Sequence, residues 1–243
     1  MNLLVDMGNT RLKWAVEKDG RIIAGRALLS SQINRHQLVE IWENQSHPKR
    51  LAIACVCANR MLELVLTVAI ELWPNIEIIP VKSQAHAYGV INAYQQPEKF
   101  GVDRWLALVA VRRHYQIPAC IVDCGTAITV DLMDAEGNHQ GGLISPGLTL
   151  MRKSLGEGTE ALQFHETDHV VGLANFTEAA IYSGTLSAAA GLIEHVLSRQ
   201  TDTLHLILTG GDAGLIAPQL KGKLVIDTEL VLRGLAIVAD NQQ

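Results

Sequence analysis

Apolar residues along this chain follow two habits. Short runs bounded by Gly, Asp or Asn read as buried strands, and stretches with an apolar residue every third or fourth position read as helices. Residues 3–5 open with a strand that ends in Asp6-Met7-Gly8-Asn9-Thr10. Residues 11–16 return as a second strand, and Asp19-Gly20 turns the chain into a third at 21–23. Helical spacing over 33–42 and 61–73 alternates with strands at 51–57 and 76–81. A further helix is predicted over 101–115, with Trp105, Leu108, Val109 and Arg112 on different faces. The opening pattern then comes back. Cys120-Ile121-Val122-Asp123-Cys124-Gly125-Thr126 leads into a strand over 127–133, a polar turn at Glu136-Gly137-Asn138 and a third run to Leu143-Ile144. After a loop at Pro146-Gly147 come a polar stretch over 157–169, a long helix over 175–198 and a strand at 204–208. That strand enters Thr209-Gly210-Gly211-Asp212-Ala213, and an apolar helix over 229–241 follows.

The two copies are separated by nearly half of the 243 residues, as duplication of one domain would leave them. Strands mixed with helices in two similar halves predict an α/β protein with a cleft between two lobes. The lobes are expected at 1–115 and 116–243, with the C-terminal helix 228–243 free to pack back on the first.

Composition narrows the functions available. Hydrophobic residues make up 48% and charged residues 19%, a balance that supports a buried core and excludes a disordered chain. With 20 Lys and Arg against 25 Asp and Glu, the net charge of −5 provides no global positive field for nucleic acid or an anionic membrane. No apolar run reaches the ~18 residues of a membrane span, and Asp6 interrupts the first run too early for a signal peptide. A cytoplasmic protein is expected. Cys55, Cys57, Cys120 and Cys124 sit among Ile, Val and Ala, as small buried hydrophobes do. Cys55-Val56-Cys57 would put two thiols on one strand face, but no second pair has zinc-site spacing. His165 and His169 are spaced i, i+4 without the accompanying pattern of a metal helix, and read as solvated.

The candidate chemistry lies in the repeated turns. An Asp at the end of a buried strand with a Gly two residues later points a carboxylate into a cleft and lets bare backbone approach a ligand. Asn9, Thr10 and Lys13 add polar groups to the first turn. Asp123, Gly125 and Thr126 repeat the arrangement, so two half-sites would grip one polyphosphate with Mg²⁺. Each motif alone is more often an ordinary hairpin with Asp capping its own backbone, and two copies in matched strand contexts shift the balance towards function. Gly210 and Gly211 lack side chains where a base or ribose would lie, although the same residues suit a plain strand-to-helix loop.

Asp6-Met7-Gly8-Asn9-Thr10, Gly101-Val102-Asp103-Arg104, Asp123-Cys124-Gly125-Thr126 and Thr209-Gly210-Gly211, in that order, resemble type III pantothenate kinases, of the superfamily of acetate and sugar kinases, heat-shock chaperones and actin. The resemblance also takes in the segments around Gly141-Gly142, Asn175-Phe176 and Ser183-Gly184-Thr185. It implies two duplicated actin-like (ribonuclease H-like) lobes, each a mixed sheet flanked by helices. It also implies ATP-dependent phosphorylation of pantothenate, the first step of coenzyme A synthesis, in a homodimer that needs Mg²⁺ and K⁺ or NH₄⁺.

Carried over residue by residue, the resemblance makes Asp103 the general base and Arg104 the partner of the pantothenate carboxylate, for which a guanidinium fork suits better than a lysine. Tyr94, Gly101 and Val102 line the same pocket, and Thr185 reaches it from the neighbouring subunit. Asp6 orients Mg²⁺ through water. Met7, Gly8, Asn9, Thr10, Arg11, Leu12, Lys13, Gly125, Thr126, Gly210 and Gly211 hold the nucleotide, and Asp123 binds the monovalent cation. Without the resemblance, Asp103-Arg104 reads as a helix-start acid beside a surface Arg, Tyr94 as an amphipathic surface residue and Thr185 as a helix-interior Thr. Two rivals remain from other classes: a phosphoanhydride hydrolase on the same scaffold, and a non-catalytic nucleotide-binding regulatory protein.

Overall fold

The computed structural model describes residues 1–56, 59–157 and 168–241. They divide into two compact units, Met1–Gln116 with Glu229–Gln243, and Ile117–Thr228.

In the first unit, β1 (Asn2–Met7) is hydrogen-bonded to β2 (Arg11–Lys18) and β5 (Arg50–Cys55), with β3 (Arg21–Ala24) and β6 (Glu77–Pro80) outside them in the order β3-β2-β1-β5-β6. The β1–β2 and β2–β3 pairs are antiparallel, whereas β1–β5 and β5–β6 are parallel. A two-residue strand, β4 (Leu28–Leu29), pairs with β2. Every residue of β1 is buried, so the central strand is covered on both faces. Leu3, Val5 and Met7 pack with Leu38 and Trp42 of α1 (Arg35–Trp42) and with Val65 and Val68 of α2 (Asn59–Leu72). The opposite face of the sheet meets α7 (Leu230–Asp240), which packs in turn on α3 (Val102–His114). Trp42 has no exposed surface and lies between Trp14 and Trp73, with ring centroids 6.5 and 6.2 Å away. Its truncation to Ala costs roughly 3–5 kcal/mol.

The second unit repeats the pattern. The order is β11 (His139–Pro146), β10 (Ala127–Met133), β9 (Ala119–Cys124), β12 (His205–Thr209) and β13 (Leu224–Ile226), again with two antiparallel pairs followed by two parallel ones. Cys120, Val122 and Cys124 pack beneath Tyr182, Leu186, Ala189 and Ile193 of α5 (Thr177–Ser198). The two sheets bear out the expectation of duplicated actin-like lobes, each a mixed sheet with helices.

Most element boundaries fall close to those the periodicity predicts. Asn34 sets the start of α1 by accepting the Gln37 N–H at 3.0 Å, a side-chain N-cap. One stretch differs. The run after Gly147, to which the sequence reading assigns no element before the polar stretch, forms α4 (Leu148–Glu157), whose inward positions carry Leu148, Met151 and Arg152. The hairpin β7 (His86–Ala87) to β8 (Val90–Ile91), β4 and β13 are too short for periodicity to reveal. Residues 158–167 of the predicted polar stretch, with His165, and Cys57 of the Cys55–Cys57 pair lie outside the described residues. Cys120 and Cys124 are free, buried thiols. Among the described residues, no helix is long and apolar enough to cross a membrane.

Candidate active site

Asp6 is the penultimate residue of β1. It stands opposite Lys13 on β2 and beside Ala54 on β5, so these side chains share one face of the sheet. The hairpin that follows is closed by the Gly8 N–H donating to the Arg11 carbonyl at 3.0 Å. Ser30 props it, donating from its backbone N to the Thr10 carbonyl (2.9 Å) and from Oγ to the Gly8 carbonyl (3.0 Å). Asn9, Thr10 and Arg11 are exposed at its tip, whereas Met7 and Leu12 beneath them are core residues.

The second hairpin is tighter. The Gly125 N–H donates to the Ala127 carbonyl at 3.1 Å, two residues on, and Thr126 alone is exposed. Asp123 lies opposite Thr129 on β10 and beside Thr209 on β12. The Gly210 loop closes on this turn, with the Asp212 N–H donating to the Cys124 carbonyl at 2.9 Å. Gly210 has φ +92°, and a Cβ there would overlap the Asp123 carboxylate and the Cys124 backbone. Only glycine meets both conditions. Gly211, by contrast, faces open space, and Asp212 precedes the short helix α6 (Ala213–Ile216). Burial pushes the Cys124 thiol up to about 12, helped by the negative charges of Asp123 and Asp212. It stays protonated at neutral pH and supplies no nucleophile.

The third cluster sits at the N-terminus of α3. Asp103 lies in the first turn, with Oδ1 accepting the Arg104 N–H at 2.8 Å. A Cβ on Gly101 would come within 2.7 Å of that oxygen, so glycine at 101 makes room for the Asp103 carboxylate. Arg104 is 5% exposed. Its Nη1 donates to Tyr94 Oη at 2.9 Å, and its guanidinium carbon lies 4.6 Å from the Phe100 ring centroid and 5.7 Å from that of Tyr94. Tyr94 and Phe100 are themselves 4.8 Å apart. The plain reading of Arg104 as a surface arginine is therefore wrong. Two rings hold the buried guanidinium, and the half-buried Asp103 carboxylate precedes it by one residue at a helix N-terminus whose dipole favours negative charge. Val102 is buried beside it.

Thr185 is buried within α5. Its Oγ1 accepts from Arg152 Nε at 3.1 Å and donates to the Tyr182 carbonyl at 3.0 Å. The Arg152 guanidinium carbon lies 4.5 Å from the Tyr182 ring centroid. Residues 168–176 fold onto the same helix: the His169 ring meets Tyr182 and Phe176 edge-on, and the Gly172 N–H donates to Ser183 Oγ. Arg152 Nη2 is buried without a hydrogen-bond partner among the described residues, which costs roughly 1–3 kcal/mol.

The structure thus gathers Tyr94, Gly101, Val102, Asp103 and Arg104 in one place, and Asp123, Gly125 and Gly210 in another. It also shows three residues that sequence reasoning passed over: Phe100, Ser30 and Arg152. Phe100 was legible as the apolar residue before the Gly101 motif. Arg152 was legible only through its position four residues after Leu148, on the inward face of an unpredicted helix. Among the described residues no group of three or more His, Cys, Asp or Glu could hold a metal ion by itself. Single strand-end carboxylates such as Asp6 still suit Mg²⁺, which keeps several waters and takes its other ligands from phosphate.

Three comparisons bear on this arrangement. The sequence model of the family described as type III pantothenate kinase matches residues 2–199. A type III pantothenate kinase of Nitrosococcus oceani is 39% identical, over 98% of this chain and 94% of its own. Another, of an Azoarcus species, is 37% identical, over 98% of this chain and 90% of its own. In fold, the chain is similar to a Campylobacter jejuni protein described as a Baf family transcriptional activator, with a TM-score of 0.62 at 20% identity, covering 98% of this chain and 97% of that one.

Proposed function

The chain belongs to the type III pantothenate kinases, and from that premise we propose that it transfers the γ-phosphate of ATP to the primary hydroxyl of pantothenate, giving 4′-phosphopantothenate and opening coenzyme A synthesis. The observation that carries this reading is the α3 cluster: a half-buried carboxylate in the first turn of the helix and, on the following residue, a guanidinium braced by two aromatic rings. Asp103 accepts the proton of the attacking hydroxyl, and general base help of this kind contributes about 10²–10⁴-fold. Arg104 takes the carboxylate at the other end of the substrate, with Tyr94, Gly101 and Val102 around it. Residues 7–13 with Gly125, Thr126, Gly210 and Gly211 hold the nucleotide. Asp6 would hold Mg²⁺ through water, and Asp123, with the Thr209 and Thr129 positions beside it, offers oxygen ligands for K⁺ or NH₄⁺. When bound, these ions neutralise charge on the phosphates.

A homodimer belongs to the same proposal. Support comes from apolar side chains exposed on the second unit, including Leu143, Ile144, Leu150, Leu155, Leu173 and Phe176, of a kind that marks a protein–protein surface. Thr185, on α5 of that unit, would then serve the pocket of the neighbouring subunit. The setting is cytoplasmic.

A pantothenate-dependent ADP-release assay, run in K⁺ and in Na⁺ alone, tests the reading. Release that needs both pantothenate and K⁺ is expected. ADP release indifferent to pantothenate would make the chain a phosphoanhydride hydrolase, and nucleotide binding without turnover would make it a regulatory protein. Asp103→Asn should lower kcat about 10²–10⁴-fold. Its fold should persist, because asparagine keeps an oxygen for the Arg104 N–H. Activity near that of the wild type would remove Asp103 as the base.

A further inference from the structure

A hydroxyl has one proton and two lone pairs. At Thr185 the proton is committed to the Tyr182 carbonyl, and one lone pair to Arg152 Nε. What remains is a single lone pair whose direction two anchors fix. Thr185 can therefore meet a ligand only as an acceptor, recognising an O–H or N–H and repelling a carbonyl or carboxylate oxygen. Packing does not account for the second anchor. Arg152 is 9% exposed and its Nη2 is buried without a partner among the described residues. An uncharged side chain of the same length would cover the Tyr182 ring without burying that unmet donor.

We propose that Arg152 is a positioning residue for acceptor recognition, holding the Thr185 hydroxyl as a one-sided acceptor for a hydroxyl or amide N–H of the substrate. The inference rests on the reading in which Thr185 contacts pantothenate, and it adds the polarity of that contact. Pantothenate carries an anionic carboxylate at one end, which suits Arg104, and hydroxyl and amide N–H donors along the rest. Arg152 thus fixes which part of the molecule Thr185 can read, and so which way round the substrate lies.

The test compares wild type with Arg152→Met and Arg152→Lys on pantothenate and on two analogues, one lacking the secondary hydroxyl and one methylated at the amide nitrogen. Wild type should lose about 10- to 100-fold in kcat/KM on at least one analogue. Arg152→Met should raise KM for pantothenate about 10-fold, leave KM for ATP unchanged, and shrink the discrimination against that analogue to a few-fold. Arg152→Lys, whose ammonium can still donate to Oγ1, should recover part of it. A merely structural role would lower the thermal midpoint while leaving the discrimination at its wild-type value, and that result overturns the proposal. Should Arg152→Met fail to fold, Thr185→Val decides, because it removes the acceptor: discrimination retained there also overturns it. Wild type that never turns over pantothenate sinks the kinase reading itself, whereas an active wild type with unmoved variants sinks only the role of Arg152.

Discussion

The two hairpins that end β1 and β9 have the same strand order around them and the same Asp-x-Gly start, yet their turns are used differently. After Asp6 the loop is three residues long and its tip is exposed, with the Ser30 N–H donating to the Thr10 carbonyl and the Val56 N–H to the Met7 carbonyl. After Asp123 it is two residues long and enclosed: the Gly147 N–H donates to the Thr126 carbonyl, and the Asp212 N–H donates to the Cys124 carbonyl. A duplicated sheet has kept its ladder while the turns diverged, one with three exposed residues at its tip and the other with one. The ladder is set by main-chain pairing and tolerates many side chains. A turn is set by what approaches it: two segments hydrogen-bond to each turn, but at the second Gly147 and Gly210 come so close that a Cβ on either would overlap its backbone.

Alanine in place of glycine breaks this comparison most directly. At Gly210 a methyl group meets the Asp123 carboxylate and Cys124 backbone, at a φ of +92° that side chains resist. Gly210→Ala should cost about 3 kcal/mol or more. At Gly8 the added methyl lies 3.1 Å from the Arg11 carbonyl, and the turn has exposed residues that can shift. Gly8→Ala should cost about 1 kcal/mol or less. Urea denaturation of both variants checks the order; equal losses would mean that the first turn is as constrained as the second.

The strand-end carboxylates sharpen the contrast through activity. Asp6→Asn should lower kcat about 10²-fold and raise the Mg²⁺ concentration needed for half-maximal rate. Asp123→Asn should cost nearer 10-fold and mainly flatten the response to K⁺. Titrating both ions against both variants separates the roles. A shared loss of both responses would show one electrostatic function spread over two sites.

Much of this was legible in the sequence because it rests on short-range rules. Strand ends at Asp6 and Asp123, the turns after them and the start of α3 follow from apolar runs stopped by glycine and polar residues. The α3 cluster was half legible. Asp103 and Arg104 stood out by motif, but the burial of Arg104 depends on Phe100 and Tyr94 folding over it, a contact that periodicity does not carry. Helix α4 escaped because one inward position holds Arg152 while Leu150 and Leu155 face outward, so no single apolar stripe marks it. The reasons for glycine at 147 and 210 were also hidden. Neither φ nor the strand it must pass is written locally, since the partners of Gly210 lie at Asp123 and Cys124.

The smallest effect concerns the other turn of each sheet. Between β2 and β3, Asp19 and Gly20 both take positive φ, +51° and +74°, in a two-residue hairpin of the kind that matches strand twist. Between β10 and β11 the turn is longer and is organised by a carboxylate. Asp134 Oδ1 accepts the N–H groups of Glu136 (3.0 Å) and Asn138 (2.8 Å), and Oδ2 accepts Asn138 Nδ2 (2.8 Å). Partial burial works to raise the pKa of Asp134, but the hydrogen bonds from Asn138, Glu136 and Gly137 together outweigh it and hold the carboxyl below its usual 3.8. A carboxyl depressed on folding adds stability above its unfolded value, and that contribution fades as pH falls through the folded one. Because the group is largely solvated, the gain at neutral pH is well under 1 kcal/mol. Asp134→Asn should therefore lower the thermal midpoint slightly near pH 7, with the gap to wild type closing as the pH drops below 3.8. A gap constant across that range would mean that the turn needs only an oxygen acceptor and not the charge.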